Sequence, residues 1–355
     1  MAGRIAFMGA GAVGGYVGGH LALHGHDVTL IDPWPEHIAA VRAGGLELTG
    51  MTAEERGCAR PATMHLTEMQ SLARQRPIDI AFICMKSYDT EWATMMIRQY
   101  LAPDGFVVSL QNCINEERIA AIVGWGRTVG CVASHIEVEL FAPGRVRRMV
   151  HKGGERYTVF RIGEVHGRVT RRVKEVAAML ARIDSVTVTG NLWGERWTKL
   201  CLNGMMNGIS AATGLGTSAA NRDPAIRRLS IRLGGEAVRV GQALGYRIET
   251  IGSLDPERLA LAAEGDGAAL AEIDAVILAG ANASARSDDQ RPSMAQDIRK
   301  GRRTEIEFMN GFITAKGAEA GLATPANRAL TELVLRVERG ELAPAPETLA
   351  GLLPR

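Results

Sequence analysis

A single lysine and two asparagines recur every four residues in an otherwise apolar segment, "WTKLCLNGMMNGISAATG" at 197–214. Lys199, Asn203 and Asn207 would form one slowly drifting stripe along an α-helix. Apolar side chains cover the other sides, which is typical of a buried helix, so we expect the polar stripe to face a cleft. Neutral amides can orient an ammonium and lower its pKa toward a value useful for proton transfer. The alternative is a surface lysine on a thin wet stripe, and this segment alone favours neither interpretation.

A glutamate interrupts the apolar face of a second predicted helix. That face runs through Met294, Ile298, Gly301, position 305, Phe308 and Phe312. Steps of three and four residues are the spacing of one buried helical face. A carboxylate within such a face is costly unless it is paired or hydrogen-bonded, so Glu305 is a functional candidate. The alternative is an ion pair at the edge of the core.

A serine stands where this second helix is expected to begin. Ser293 and Gln296 fit the S-x-x-Q form of a capping box, which predicts that the serine starts the helix. The same hydroxyl could also be presented to an anion of a ligand. The sequence leaves both roles open for Ser293.

A glycine-rich turn near the N-terminus has the G-x-G-x-x-G spacing of a dinucleotide site. Its residues are Gly9, Ala10, Gly11, Ala12, Val13 and Gly14. The glycines allow the tight turn, the approach of a pyrophosphate and close helix–strand packing, and the helix N-terminus attracts the phosphates. Asp32 ends the next predicted strand, where a carboxylate takes ribose hydroxyls and repels the extra phosphate of NADP, so NAD is favoured. The alternative is a glycine-rich helix that packs on a sheet without a ligand.

The elements that must position these residues follow from the hydrophobic pattern. Short apolar runs alternate with helical patterns through the first half, which predicts a parallel sheet covered by helices. Helical patterns dominate afterwards, so the predicted fold class is α/β, an N-terminal Rossmann-type doubly wound sheet followed by an all-helical C-terminal domain. The predicted domains are a dinucleotide-binding domain over 1–188, a helical substrate and catalytic domain over 189–340, and a loosely packed tail over 341–355. Loops are predicted over 49–63 and 280–292.

Composition narrows the class of protein. The 355 residues are 46% hydrophobic with a net charge of +2, which gives no electrostatic footprint for nucleic acid. The five cysteines are widely spaced without a C-x-x-C pair, which is typical of reduced thiols in a cytoplasmic protein. No apolar run approaches the roughly 18 residues of a membrane-spanning helix, and no signal peptide is expected. We therefore expect a soluble, cytoplasmic protein that binds neither membrane nor nucleic acid.

Taken together, the motifs resemble those of the ketopantoate reductase (2-dehydropantoate 2-reductase) family. The segments that carry the resemblance are "GAGAVG" at 9–14, "CMKSYDT" at 84–90, "SLQNCINEE" at 109–117, "WTKLCLNGMMNGISAATG" at 197–214 and "PSMAQDIRKGRRTEIEFMNG" at 292–311. The resemblance implies a Rossmann domain joined to a helical domain, with the active site in the cleft between them. It also implies reduction of 2-dehydropantoate to (R)-pantoate with NADPH or NADH.

The resemblance further implies a role for each candidate residue. Lys199 would protonate the keto oxygen as hydride arrives, and Glu305 would bind the substrate's hydroxyl. Asn203, Asn207 and Ser293 would position the substrate's carboxylate and hydroxyl. Asn112 and Lys86 would contact cofactor and substrate.

Two departures from the family pattern leave the substrate and cofactor open. Cys113 stands where the family usually has glycine, and Asp32 favours NAD where the family's usual cofactor is NADPH. An alternative function is therefore that of the related NAD-dependent D-2-hydroxyacid dehydrogenases, which act on branched or aromatic 2-keto acids. An alternative of another class is a dinucleotide-sensing protein without chemistry. The apolar helical domain would permit a homodimer.

Overall fold

A computed structural model describes residues 3–283 and 291–353. The chain divides into two compact units, Met1–Leu192 (unit 1) and Trp193–Arg355 (unit 2). The division follows Leu192, compared with the predicted boundary after residue 188. Among the described residues, none of the helices combines the length and the apolar character needed to cross a membrane.

Unit 1 is built on a large, mostly parallel sheet. Its strands are β1 (Arg4–Met8), β2 (Asp27–Asp32), β3 (Leu46–Thr49), β4 (Gly57–Ala59), β5 (Ala62–His65), β6 (Ile78–Ile83), β7 (Leu101–Ser109), β8 (Thr128–Ala133), β9 (Val138–Ala142), β10 (Arg145–Arg148), β11 (Phe160–Glu164) and β12 (Val186–Val188). Across residues 3–192, all of them described, eight strands follow the order β12-β11-β8-β7-β6-β1-β2-β5. Only the pairing of β8 with β11 is antiparallel within this sheet as described.

Helices cover both faces of this sheet, as the apolar pattern of its strands requires. The helices of unit 1 are α1 (Ala12–Leu23), α2 (Pro35–Gly44), α3 (Thr90–Arg98), α4 (Glu116–Val123) and α5 (Arg171–Leu180). Successive strand residues point to opposite faces, so Ile5 and Phe7 join a core with α1, while Ala6 and Met8 join a core with α3. The predicted doubly wound Rossmann-type sheet is confirmed.

A second, four-stranded sheet was not predicted. It has the order β4-β3-β10-β9 within unit 1 as described, and it packs near α1. The predicted loop over 49–63 is wrong, because this stretch contains β4 and the first two residues of β5. Both strands are short and half-exposed, and β5 extends the large sheet beside β2. Strands of three or four residues with polar side chains carry too little alternation to be recognised from the sequence.

The regular secondary structure among the described residues of unit 2 is helical, apart from one isolated β-bridge between Ile251 and Leu254. Its helices are α6 (Leu192–Thr213, whose first residue closes unit 1), α7 (Thr217–Arg222), α8 (Pro224–Ala243), α9 (Pro256–Glu264), α10 (Gly267–Ala283), α11 (Ser293–Arg299), α12 (Asn310–Glu319) and α13 (Pro325–Glu338). Short 3-10 helices occur at Ala53–Glu55, Leu66–Arg74, Ser87–Asp89, Trp125–Arg127, Ile306–Phe308 and Pro346–Leu349.

The long helix α6 is a core element of unit 2, as its apolar composition predicts. Trp197 is fully buried, and its indole N–H donates to the carbonyl of Ala237 on α8 at 2.8 Å. Two glycines let other elements approach its backbone. A Cβ on Gly204 would lie 3.1 Å from Ile313, and one on Gly208 would lie 2.8 Å from Leu330. These close contacts fix α6 against α12 and α13.

The predicted continuous helix through position 305 is wrong. Helix α11 ends at Arg299, and Gly301 adopts a left-handed conformation with φ of +60°. The N–H of Arg302 donates back to the carbonyl of Asp297 at 2.9 Å, which ends the helix. The chain re-enters helical structure only at Ile306–Phe308 and then α12. The apolar positions therefore belong to two helices and a turn, although their spacing mimics one helical face.

Two other segments were predicted to be irregular, the loop over 280–292 and the tail over 341–355. Within the predicted loop over 280–292, α10 continues to Ala283, and residues 284–290 lie outside the described part. Described residues of the tail that begins at residue 341 make the following contacts. Leu349 is fully buried in a 3-10 helix, and the N–H of Ala345 donates to the carbonyl of Ala212 on α6 at 3.1 Å.

Candidate active site

The glycine-rich turn lies at the carboxyl end of β1, and each glycine has a distinct steric reason. Gly9 has φ of +100°, a conformation that favours glycine. A Cβ on Gly14 would lie 1.9 Å from the carbonyl oxygen of Gly9, so any side chain there would separate α1 from the turn. A Cβ on Gly11 would meet no described atom within 4 Å. Gly11, Ala12 and Val13 are half-buried at the helix N-terminus, which fits a site open to a pyrophosphate.

Asp32 holds this turn through backbone hydrogen bonds. The N–H of Ala10 donates to its Oδ2 at 2.7 Å, and the N–H of Trp34 donates to its Oδ1 at 2.9 Å. The carboxylate is 8% exposed. Each oxygen has a second lone pair, so these contacts leave acceptors for ribose hydroxyls. Asp32 therefore also shapes the turn, a role that its position in the sequence did not suggest.

A buried histidine supports the same turn from the other side. The N–H of Gly144 donates to His37 Nδ1 at 3.0 Å, and Nε2 lies 3.0 Å from the carbonyl oxygen of Ala10. An imidazole that accepts at Nδ1 and donates at Nε2 is neutral. Burial lowers the pKa of His37, while the charge of Asp32 opposes this shift, which agrees with the neutral form. His37 thus ties the turn to the hairpin between β9 and β10.

The loops after β6 and β7 carry Lys86 and Asn112, and two buried amides join these loops. Gln111 Nε2 donates to the carbonyl of Met85 and to Thr90 Oγ1, both at 2.8 Å. Asn115 Nδ2 donates to Ser87 Oγ at 3.1 Å and to the carbonyl of Asn112 at 2.9 Å. Sequence reasoning missed Gln111 and Asn115, although amides in the otherwise apolar end of a strand were a usable signal.

Cys113 has a glycine-like backbone conformation. Its φ is +61°, and the side chain is 5% exposed. This explains why glycine suits the position, because a residue with a Cβ is disfavoured in the left-handed region. Burial of the thiol side chain contributes free energy that opposes the cost of this backbone conformation.

In unit 1 the sequence-predicted cofactor residues therefore come together. The parallel strands β2, β1, β6 and β7 are adjacent, and their carboxyl ends carry Asp32, the glycine turn, Lys86 and Asn112. The strand order reverses at β1, and dinucleotides bind at this kind of switch point. Lys86 and Asn112 are both half-buried. The site has the open turn, the carboxylate and the polar loops that fit a nicotinamide dinucleotide.

In unit 2 the polar stripe lies on α6 as predicted. Lys199 and Asn203 are half-buried, and Asn207 is 7% exposed. The helix around Lys199 is fixed on other sides: the N–H of Glu249 donates to Thr198 Oγ1 at 2.8 Å. The stripe thus places the Lys199 side chain and two asparagine amides in a row along one fixed helix, where each is partly shielded from water.

Glu305 lies in a segment that packs on the same helix, but its local structure differs from the predicted one. It precedes the 3-10 helix Ile306–Phe308 and is 4% exposed. Ile306 packs against Gly208, where a Cβ would lie 3.2 Å from its Cδ1. Asn310 Nδ2 donates to the carbonyl of Gly204 at 2.9 Å. The segment that contains Glu305 is therefore held on α6 beside Asn207, and the glutamate is buried as its apolar neighbours suggested.

Ser293 does not cap α11 with its side chain. It is the first residue of the helix, and the N-cap position is Pro292, without a side-chain cap. Gln296 Nε2 donates instead to the carbonyl of Arg291 at 2.9 Å, so the predicted capping box is wrong. Ser293 is half-buried, and its contact with substrate stays a prediction.

The two units define a class of protein. A glycine turn at the switch point of a doubly wound sheet binds a nicotinamide dinucleotide. A half-buried lysine beside neutral amides is equipped to hold and transfer a proton. The class is that of the nicotinamide-dependent oxidoreductases.

Comparison with known proteins places the chain within that class. Residues 5–163 match the profile "Ketopantoate reductase PanE/ApbA", and residues 191–338 match "Ketopantoate reductase PanE/ApbA C terminal". The chain belongs to the ketopantoate reductase family, and the resemblance noted from its motifs is confirmed.

Individual relatives agree with this assignment. A 2-dehydropantoate 2-reductase of Archaeoglobus fulgidus is 28% identical, over 95% of this chain and 98% of the relative. The crystal structure of a ketopantoate reductase of this family from Ralstonia eutropha is 28% identical with a TM-score of 0.77, over 95% of this chain and 99% of that one. D-mandelate dehydrogenase in a ternary structure with NADH and anilino(oxo)acetate is 23% identical with a TM-score of 0.77, over the same shares, and shares the fold.

Proposed function

We propose that this protein reduces the keto group of 2-dehydropantoate to a hydroxyl group, giving (R)-pantoate. The observation that carries the proposal is the row of Lys199, Asn203 and Asn207 on α6, with the segment of Glu305 packed against the same helix. A 2-keto acid needs a proton donor for its keto oxygen and neutral donors for its carboxylate. This row supplies both.

The protein's contribution to the reaction is proton transfer and positioning. A reduced nicotinamide, when bound, would supply the hydride for the keto carbon. Lys199 Nζ gives a proton to the keto oxygen as negative charge develops there, which completes the hydroxyl group and leaves a neutral amine that solvent reprotonates. Asn203, Asn207 and Ser293 hold the carboxylate and hydroxyl, and Glu305 accepts a hydrogen bond from the substrate's own hydroxyl group.

In unit 1 the glycine turn with α1 would hold the pyrophosphate, and Lys86 and Asn112 would contact cofactor and substrate.

The cofactor preferred under this proposal is NAD. Asp32 would accept the ribose hydroxyls and repel a 2′-phosphate. The first arginine after Asp32 is Arg42, which pairs with Glu68 and donates to the carbonyl of Thr63 at 3.0 Å. Its guanidinium is thus already engaged by Glu68 and by the carbonyl of Thr63.

The test is oxidation of NADH and NADPH by the purified protein with a panel of 2-keto acids. 2-Dehydropantoate should give the highest kcat/KM, with NADH at least as effective as NADPH. A roughly tenfold advantage for NADPH would overturn the NAD preference alone, since it equals about 1.4 kcal/mol of transition-state binding. Turnover of phenylglyoxylate with 2-dehydropantoate inert would support a D-2-hydroxyacid dehydrogenase instead. NADH binding without turnover of any 2-keto acid would support a dinucleotide sensor.

A further inference from the structure

Two asparagines that the proposed reaction does not use are fully buried in unit 2. Asn310 begins α12, and Asn327 lies in the first turn of α13. A buried amide costs free energy unless hydrogen bonds satisfy it. Asn310 Nδ2 donates to Asn327 Oδ1 and to the carbonyl of Gly204 on α6, both at 2.9 Å. Asn310 Oδ1 has no donor among the described residues, so the nitrogen alone holds this amide.

The order of donors and acceptors around these amides begins at a carboxylate on α8. Glu236 accepts the N–H groups of Ala326 at 2.9 Å and Asn327 at 3.0 Å, and it also accepts Asn327 Nδ2 at 2.8 Å. The same nitrogen donates to the carbonyl of Leu233 at 3.1 Å. Because both acceptors face the nitrogen of the Asn327 amide, its oxygen is directed to Asn310. A carbonyl oxygen can only accept, so it selects the nitrogen of the Asn310 amide in turn.

This chain of hydrogen bonds ends beside the segment of Glu305. The glutamate lies five residues before Asn310, and the N–H of Phe308 donates to the carbonyl of Glu305 at 3.0 Å in the turn between them. On the other side of the glutamate, the N–H and Oγ1 of Thr304 donate to Glu338 Oε2 at 2.8 and 2.7 Å. The backbone that carries Glu305 is therefore attached to α13 on both sides. The attachment at Asn310 is the one that also reaches α6.

We infer that this chain of hydrogen bonds positions Glu305 beside the polar row of α6. Its members are Glu236, Asn327 and Asn310, and each is a positioning residue because it acts through Glu305 rather than on the substrate. The inference rests on the proposed function, in which Glu305 accepts a hydrogen bond from the substrate's hydroxyl group. A hydrogen bond weakens when its donor and acceptor are displaced or misaligned. A correctly held carboxylate therefore favours a 2-keto acid that carries this hydroxyl group.

The test compares two keto acids that differ only in the hydroxyl group. 2-Dehydropantoate carries it, and 3,3-dimethyl-2-oxobutanoate has the same carbon skeleton without it. Each is assayed with the reduced nicotinamide cofactor that the wild type uses better. Asn310→Asp keeps the shape of the side chain but turns its donor into an acceptor, and Glu236→Gln keeps the shape but places an NH₂ group against N–H donors. The double variant and melting temperatures complete the set.

The matched control is Thr314→Val on α12. Thr314 Oγ1 donates to the main-chain carbonyl of Asn310 at 3.1 Å, so this substitution removes a neighbouring hydrogen bond and leaves the amide of Asn310 in place. The ratio of kcat/KM for the two keto acids should equal that of wild type in this variant. Partial unfolding lowers both values equally, so the ratio separates positioning from a loss of stability.

The expected result is a selective loss that the two ends of the chain share. Asn310→Asp should lower kcat/KM by about tenfold or more for 2-dehydropantoate and by less than about threefold for 3,3-dimethyl-2-oxobutanoate. Glu236→Gln should act in the same direction by about threefold. The double variant should lose no more than Asn310→Asp alone, because the chain is already broken at its end. Equal losses for the two keto acids, or a double-variant loss equal to the product of the single losses, would overturn the inference alone. Wild-type protein that reduces neither keto acid would overturn the proposed function together with it.

Discussion

At the residue scale, Asp32 has a structural role in addition to the binding role proposed for it. Its two oxygens accept the N–H groups of Ala10 and Trp34, so one carboxylate sets the path of the chain on both sides of the cofactor turn. Hydrogen bonds to a charged group contribute about 1.5–3 kcal/mol each. The negative charge thus shapes the turn, and under the proposed function it would also favour NAD over NADP.

Replacing this carboxylate should weaken cofactor binding more than turnover. In Asp32→Asn the amide nitrogen faces a backbone N–H donor, so the turn loses one hydrogen bond. We expect KM for NADH to rise by about tenfold or more, while kcat at saturating NADH changes by less than about threefold. Steady-state kinetics measure the split. Asp27→Asn, at the exposed start of the same strand, is the control. An unchanged KM for NADH would show that Asp32 does not support the cofactor site.

Individual residue roles were only partly predictable from sequence. The glycine turn and Asp32 were recognisable because each occupies a fixed place relative to a strand. The burial of Glu305 was predicted, but its helix was not, because apolar spacing continues through the turn at Gly301. His37, Gln111 and Asn115 were missed, since each acts through a partner that only the folded chain brings near.

At the element scale, the carboxyl ends of β6 and β7 are joined by side chains rather than by backbone. Asn115 is fully buried and donates to both loops, to Ser87 after β6 and to Asn112 after β7. Asn112 is one of the two partners, and Lys86 directly precedes the other, Ser87. Under the proposed function, Asn115 would therefore be a positioning residue for the cofactor site.

Removing the connection should raise KM for the cofactor. Asn115→Ala leaves both loops without their shared donor, and we expect KM for NADH to rise roughly tenfold with a smaller change in kcat. A double-mutant cycle with Ser87→Ala measures the coupling, which we expect to be about 0.5–3 kcal/mol because the two side chains are in contact. Additive effects on kcat/KM, or a change in melting temperature without a change in KM, would contradict the positioning role.

The elements themselves were largely predictable. The long strands and helices of both units follow from hydrophobic period, and the family profile covers most of both units. The small sheet of unit 1 was not predictable, because its strands are short and pair with partners distant in sequence, as β3 does with β10.

At the scale of the whole molecule, unit 1 buries ionisable groups that make its stability depend on pH. Burial lowers the pKa of His20 to about 4, and the nearby positive charges of Lys152, His24 and Arg148 act in the same direction. The imidazole packs edge-on against Tyr16 within the core. Protonation of His20 would place an additional charge among these cations.

Unit 1 should therefore lose stability in mild acid. The unfolded chain binds the proton near pH 6.5 and the folded chain near pH 4, so the contribution of His20 is complete above pH 6.5 and declines as pH falls toward 4. The loss at pH 4 should be about 3 kcal/mol. Urea unfolding from pH 7 to 4 measures it. His20→Gln should flatten this part of the profile, whereas His151→Gln, at an exposed position, should not. Parallel profiles for wild type and His20→Gln would contradict the account.

The central claim is that Lys199 donates the proton in reduction of 2-dehydropantoate. The most direct measurement is kcat for NADH oxidation with 2-dehydropantoate by wild type, Lys199→Ala and the exposed control Lys174→Ala. Loss of a general acid should lower kcat by about 10²–10⁴-fold in Lys199→Ala, with KM for NADH little changed and the control equal to wild type. Near wild-type turnover by Lys199→Ala would contradict the claim.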